Sequence, residues 1–200
     1  MNDTVNYQEI IHETASKHWN VADEYKVNTL DENVEVCRKD SLPISVGLIN
    51  ITGELNVGMM IRSACLFGAE TIYTFGRKKY DKRSTVGAQN YSTLVQYKYD
   101  DPMTAGGSIL TDLIDLSKKH TIILCEGGGD ELGSFNWSYR YIPSPLFIFG
   151  SESFGIPEEI TNHFYNNIVS IPQRGVLRSF NVSAAMNIIV WDYMKDMNYV

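Results

Sequence analysis

Residues 171–193 read IPQRGVLRSFNVSAAMNIIVWDY, setting a strand end, a polar loop and a long amphipathic helix in direct succession. From Val182 the apolar residues Ala185, Met186, Ile189, Val190 and Tyr193 recur at helical spacing, while Ser183, Asn187, Asp192 and Asp196 take the other side. Asn181 stands just before this run as an N-cap, its side-chain oxygen placed to accept a free backbone N–H of the first turn. The loop carries more than a cap needs. It opens on Ile171-Pro172, holds Arg174 and Arg178, and brings Ser179 beside Asn181. The helix reads as the closing element of a core, and the loop as part of a site.

Upstream, short branched apolar runs alternate with helical patterns. ISVGLIN (44–50), TIYTF (71–75), STLVQYKY (92–99), TIILC (121–125), LFIFG (146–150) and NIVSI (167–171) read as strands. GELNVGMMIRSACLFG (53–68) reads as a helix stopped by Gly68, with further helices over 103–119 and about 157–164. This alternation predicts an α/β domain with a mainly parallel sheet and helices on both faces. Residues 1–43 read as a polar N-terminal extension packed on the body, with a short helix expected over about Tyr7–Lys17. Within it LDENVEVCRKDSLP (30–43) reads as connection, and order resumes after Pro43. The main domain covers 44–200.

Two hundred residues, 44% of them hydrophobic, suffice for one well-buried domain and are too few for two. There is neither an apolar run of membrane-spanning length nor a signal-peptide pattern at the start, so a soluble protein of the cytoplasm or another intracellular compartment, without a membrane partner, is expected. Cys37, Cys65 and Cys125 are widely spaced and the four histidines form no ligand pair, so no metal is expected. A net charge of −7 disfavours a surface that is basic throughout. Any RNA binding must then rest on a local basic patch, on a dimer, or on a helper subunit.

Three consecutive strand ends run into unusual loops: CEGGG, FGSESFG and IPQRGVLRSFN. In such sheets ligands bind beyond the carboxyl ends of the strands, so the three are read as one pocket. It is not a dinucleotide fingerprint, because Leu132 stands where the last glycine belongs. Nor is GSESFG a hydrolase elbow, since Ser151 replaces the first glycine.

Three segments, in order, resemble the motifs of the SpoU family of RNA 2′-O-ribose methyltransferases, within the SPOUT superfamily. They are NVGMMIRSACLFG (56–68), LFIFGSESFGIP (146–157) and IPQRGVLRSFNVSAA (171–185). Phe180 replaces the usual leucine of the third motif, and Gln173 stands where methionine is frequent. DKRSTVGAQNY (81–91) is similar to a segment of small members that act on the tRNA wobble ribose.

The resemblance implies a C-terminal trefoil knot, a homodimer whose sites draw on both subunits, S-adenosylmethionine as cofactor, and tRNA or rRNA as substrate. It implies a cofactor cradle at Leu124, Cys125, Glu126, Gly127, Gly150, Ile171 and Phe180, met largely through backbone. It assigns the reaction to Arg62, with Asn56 and Glu152 orienting that arginine and its helix, and with Ser179 and Asn181 completing the polar network at the ribose. A guanidinium is a poor base, so Arg62 is expected to hold the phosphate and the 2′-hydroxyl. The run GRKKYDKR places Arg77, Lys78, Lys79, Lys82 and Arg83 together, and with Arg174 and Arg178 they are expected to track RNA phosphates. Tyr80 and Tyr91 are candidates for stacking on bases. The rival reading is a catalytically silent, knotted RNA-binding protein.

Overall fold

Six parallel strands form one sheet in the order β3-β2-β1-β5-β4-β6. They are β1 (Leu42–Ile49), β2 (Ala69–Phe75), β3 (Leu94–Tyr97), β4 (Thr121–Glu131), β5 (Pro145–Phe149) and β6 (Ile168–Ser170). The structure, a computed structural model, describes residues 20–76, 79–101, 104–134 and 142–200. The expected helix over 7–17 lies outside them.

Alternation along the strands builds two cores. Ile44, Val46 and Leu48 of β1 and Phe147 and Phe149 of β5 face one side. There they pack on α2 (Glu54–Leu66) and on α6 (Val182–Asp196). Leu146 and Ile148 of β5, with Ile122 and Leu124 of β4, face the other side, against α4 (Gly106–Leu116) and α5 (Glu158–His163). The result is an α/β sandwich of three layers, helices on both faces. Helix α6 buries Met186, Ile189, Val190 and Tyr193 almost completely, each worth about 1.5–3 kcal/mol as transferred apolar surface. Ser183, expected on the polar side, is buried too. Its hydroxyl donates to Asn181 Oδ1 at 2.6 Å, which lets a polar residue enter the first buried turn. Among the described residues no helix is long and apolar enough to cross a membrane.

Three local expectations change. Residues 30–39, read as connection, form α1 (Leu30–Lys39). A reciprocal cap starts it: Thr29 Oγ1 accepts from Glu32 N at 3.3 Å, and Glu32 Oε2 accepts from Thr29 N at 2.7 Å. The basic run contains a short helix, α3 (Lys82–Thr85), capped by Asp81. Finally, β4 does not stop at Cys125. Both Cys125 and Asp130 pair with Val169, so residues 126–129 bulge out of the ladder and the strand resumes to Glu131. A glycine is needed at 129, where a Cβ would fall 2.3 Å from the Ile168 carbonyl oxygen.

Candidate active site

β1 and β5 lie side by side, although the chain leaves β1 toward β2 and returns to β5 about a hundred residues later. That adjacency is a topological switch point, where loops at the carboxyl ends of neighbouring strands diverge and leave a crevice. The loop after β5 carries Glu152 into it. Glu152 Oε2 accepts from Thr52 N and Thr52 Oγ1, both at 3.2 Å. Glu152 Oε1 accepts from Gly53 N at 3.3 Å and from Asn56 Nδ2 at 2.8 Å. One carboxylate therefore takes up free N–H groups at the N-terminus of α2. Asn56 Oδ1 in turn accepts from Asn181 Nδ2 at 3.0 Å, while Asn181 Oδ1 caps α6 through Ser183 N at 3.0 Å and Ala184 N at 3.4 Å. Three segments far apart in sequence thus meet at Glu152, Asn56 and Asn181. Burial pushes the Glu152 carboxyl up, but the donors from Asn56 and from backbone amides including those of Thr52 and Gly53 outweigh it and hold it below the usual carboxylate range.

Beside this junction opens a cleft of about 1000 Å³. Cys125, Glu126 and Gly127 line it from the β4 bulge, Gly150 to Ile156 from the loop after β5, and Ile171 from the end of β6. Arg178, Ser179, Phe180 and Asn181 close it from the last loop. The walls mix apolar surface (Phe149, Ile156, Val182, Ile189) with carboxylates and main-chain groups. Glu126 Oε2 accepts from Ile156 N at 3.0 Å and so ties two of these loops together. Gly155, at φ +68°, makes that tie possible, because a Cβ there would lie 2.7 Å from Glu126 Oε2.

Of the residues expected in the cradle, Cys125, Glu126, Gly127, Gly150, Ile171 and Phe180 line this cleft, as do Ser179, Asn181 and Glu152. Leu124 is fully buried in the core on the α4 side, since neighbouring strand residues point to opposite faces. Arg62 is exposed and does not line the cleft of its own chain. It lies six residues beyond Asn56, about 9 Å along the helix axis. Asn56 and Glu152 therefore anchor the start of α2 without touching the arginine.

The phosphate track is also rearranged. Lys79 pairs with Glu54 at 3.0 Å and Arg83 with Asp81 at 2.8 Å, so two of its cations already have carboxylate partners. Lys82 and Arg174 are exposed, and Arg178 reaches the cleft. Arg77 and Lys78 lie outside the described residues. Tyr80 packs on the core beside α2. Tyr91 lines a groove with Ala69 to Thr71, at the start of β2, which is the opposite end of the sheet from the cleft. Sequence reasoning missed Thr52 and Gly53, whose amides have no side-chain signal. It also missed Phe154 and Tyr165, exposed aromatics on the cleft wall. Among the described residues no group of His, Cys, Asp and Glu is arranged to hold a metal ion.

Comparison with known proteins places the chain among relatives of one fold and family. Over 84 residues the chain is 31% identical to a Mycoplasma genitalium protein provisionally named a tRNA (cytidine(34)-2′-O)-methyltransferase, covering 42% of this chain and 51% of that one. The match thus spans about half of that relative's length. Two solved structures share the fold. The TrmH/SpoU tRNA modifying enzyme of A. aeolicus superposes with a TM-score of 0.67 at 18% identity, covering 85% of this chain and 83% of that one. The SpoU methyltransferase AviRb of Streptomyces viridochromogenes, solved with AdoMet, gives 0.59 at 21% identity, covering 80% of this chain and 58% of that one. The family model described as the SpoU rRNA Methylase family matches residues 43–191, a span that runs from β1 into α6 and takes in every residue of the Glu152 junction. The chain belongs to the SpoU rRNA Methylase family.

Proposed function

We propose that this chain is an S-adenosylmethionine-dependent RNA 2′-O-ribose methyltransferase acting on tRNA or rRNA. The observation that carries the reading is the Glu152–Asn56–Asn181 junction, which gathers the chain's three motif segments at the rim of one cleft. The cleft suits an adenosyl cofactor. Its apolar walls and main-chain N–H and C=O groups match a nucleoside, and Glu126 and Glu152 match a cationic tail. When bound, that cofactor supplies a methyl group made electrophilic by its sulfonium.

This chain's own residues then have to seat the ribose. Ser179 and Asn181 offer a hydroxyl and an amide at the rim, and the Glu152 junction fixes Asn181 in place. Arg62 holds the 2′-hydroxyl and its adjacent phosphate. Because Arg62 is remote from its own cleft, we assign it to the cleft of a second copy. Leu55, Met59 and Leu66 support this, since they share its helix face and are exposed, as are Ile188 and Trp191 on the neighbouring α6. A homodimer built on these faces covers that surface and brings each arginine to a partner site.

RNA contacts in this reading come from Arg174, Arg178 and Lys82, and from Lys79 and Arg83 once phosphate displaces Glu54 and Asp81. A chain of net charge −7 also favours a basic helper subunit, and the reading includes a cytoplasmic setting where RNA is modified. The closing segment is read as threaded into the family's trefoil knot. In support, β6 lies at the sheet edge while α6 returns to pack beside α2.

The test is direct. Purified chain is incubated with S-adenosylmethionine labelled in its methyl group and with total tRNA or rRNA. The RNA is then digested with alkali, which cannot cleave next to a 2′-O-methyl ribose. Label in alkali-resistant dinucleotides is the expected result. RNA binding without label transfer would favour the silent-binder alternative.

A further inference from the structure

Three carboxylates line the cleft, Glu126, Glu152 and the exposed Glu158 at the start of α5, and none has a cationic partner among the described residues. Glu152 is committed to the start of α2, with four donors on its two oxygens. Glu126 is less occupied. Among the described residues its Oε1 accepts only from the adjacent Gly127 N at 3.2 Å, and its Oε2 only from Ile156 N at 3.0 Å. A carboxylate has about four lone-pair sites, so acceptor capacity remains on both oxygens. Its charge is also held in place. The β4 bulge supplies the backbone, and Gly155 leaves room for the carboxylate. Burial and, after it, the Glu126 charge push the neighbouring Cys125 thiol up, so that charge acts within the cleft wall. Arg178, the basic residue among the described lining, sits on an exposed loop.

We propose that Glu126 is the residue by which the cleft favours the cationic cofactor over its neutral demethylated product. The inference rests on the methyltransferase reading of the same cleft. An uncompensated carboxylate in a partly dry wall attracts a ligand of net charge +1 more strongly than its thioether, a zwitterion of net charge zero that keeps only the ammonium of the tail. Losing the methyl group removes the sulfonium charge, so the attraction that helps loading is absent at release. Glu126 thereby biases the site toward exchange after each turnover.

Isothermal titration of the full chain tests this with three ligands: S-adenosylmethionine, S-adenosylhomocysteine, and sinefungin, whose amine places a positive charge near the sulfonium position. The wild-type chain should bind both cations roughly tenfold more tightly than the thioether. Glu126→Gln keeps an oxygen to accept from Ile156 N, and should bring that ratio near one by weakening the cations alone. An unchanged ratio in the variant overturns the inference, and so does an equal weakening of all three ligands, which makes Glu126 only a brace between loops. Equal binding of all three by the wild-type chain overturns it without recourse to a variant. A wild-type chain that binds none of them overturns the proposed function as well, so the two failures are told apart.

Discussion

Glu152 concentrates the residue-scale physics of this protein. Its folded carboxyl lies below the ordinary value of 4.5 because the donors around the ionised form outweigh burial. The stability it contributes is therefore complete above about pH 4.5 and is lost as pH falls through the lower folded value. Glu152→Gln should cost about 1 kcal/mol at pH 7, a charged hydrogen-bond set discounted for partial exposure. Urea titrations of wild type and variant should converge as pH is lowered from 5 toward 3. A gap that stays constant over that range would show that the charge on Glu152 is not what matters. Glu152, Asn56 and Asn181 were legible in the sequence because each sits in a motif; Thr52 and Gly53, which donate through backbone N–H groups, were not. Leu124, expected to meet the cofactor through its backbone, turns its side chain into the core on the α4 side, because neighbouring strand residues point to opposite faces.

At the scale of elements, periodic burial was the reliable signal. Helix α6 follows its expected apolar face, and Asn181 caps it as read. Asn181→Ala should cost about 1 kcal/mol in thermal or urea unfolding. The same change frees Asn56 Oδ1, so ligand affinity at the cleft should fall more than the stability loss alone explains. If stability drops while cofactor and RNA binding stay intact, Asn181 is a cap and nothing more. Helix α1 is hard to read because its apolar face is thin, and its one clear start signal is Thr29 with Glu32 three residues on. The continuation of β4 through EGGGDE was illegible for another reason. Glycine-rich sequence favours a loop locally, and only pairing with Val169 and Ser170 draws Asp130 and Glu131 back into the sheet.

At the scale of the whole molecule, the prediction concerns Arg62. Arg62→Ala should lose most methyl transfer yet bind cofactor as the wild type does. Mixed with a Glu152→Ala partner that is itself inactive, it should regain up to about a quarter of activity, as statistical pairing of copies that share sites allows. No recovery on mixing, with subunit exchange verified by mass, would mean that each copy works alone. The alternating short strands and helices, the two-sided burial of the strands, the cap on α6 and the three ordered motifs were all determined by sequence alone. These are local patterns, set by backbone period and by residues a few positions apart. Only the tertiary structure decided that Glu152 meets Thr52, Asn56 and Asn181, that Asp81 and Glu54 take up part of the basic run, and that Arg62 does not line its own cleft. Those contacts depend on β5 inserting between β1 and β4, a choice of strand order made by packing across about a hundred residues, on which neighbouring residues in the chain are silent.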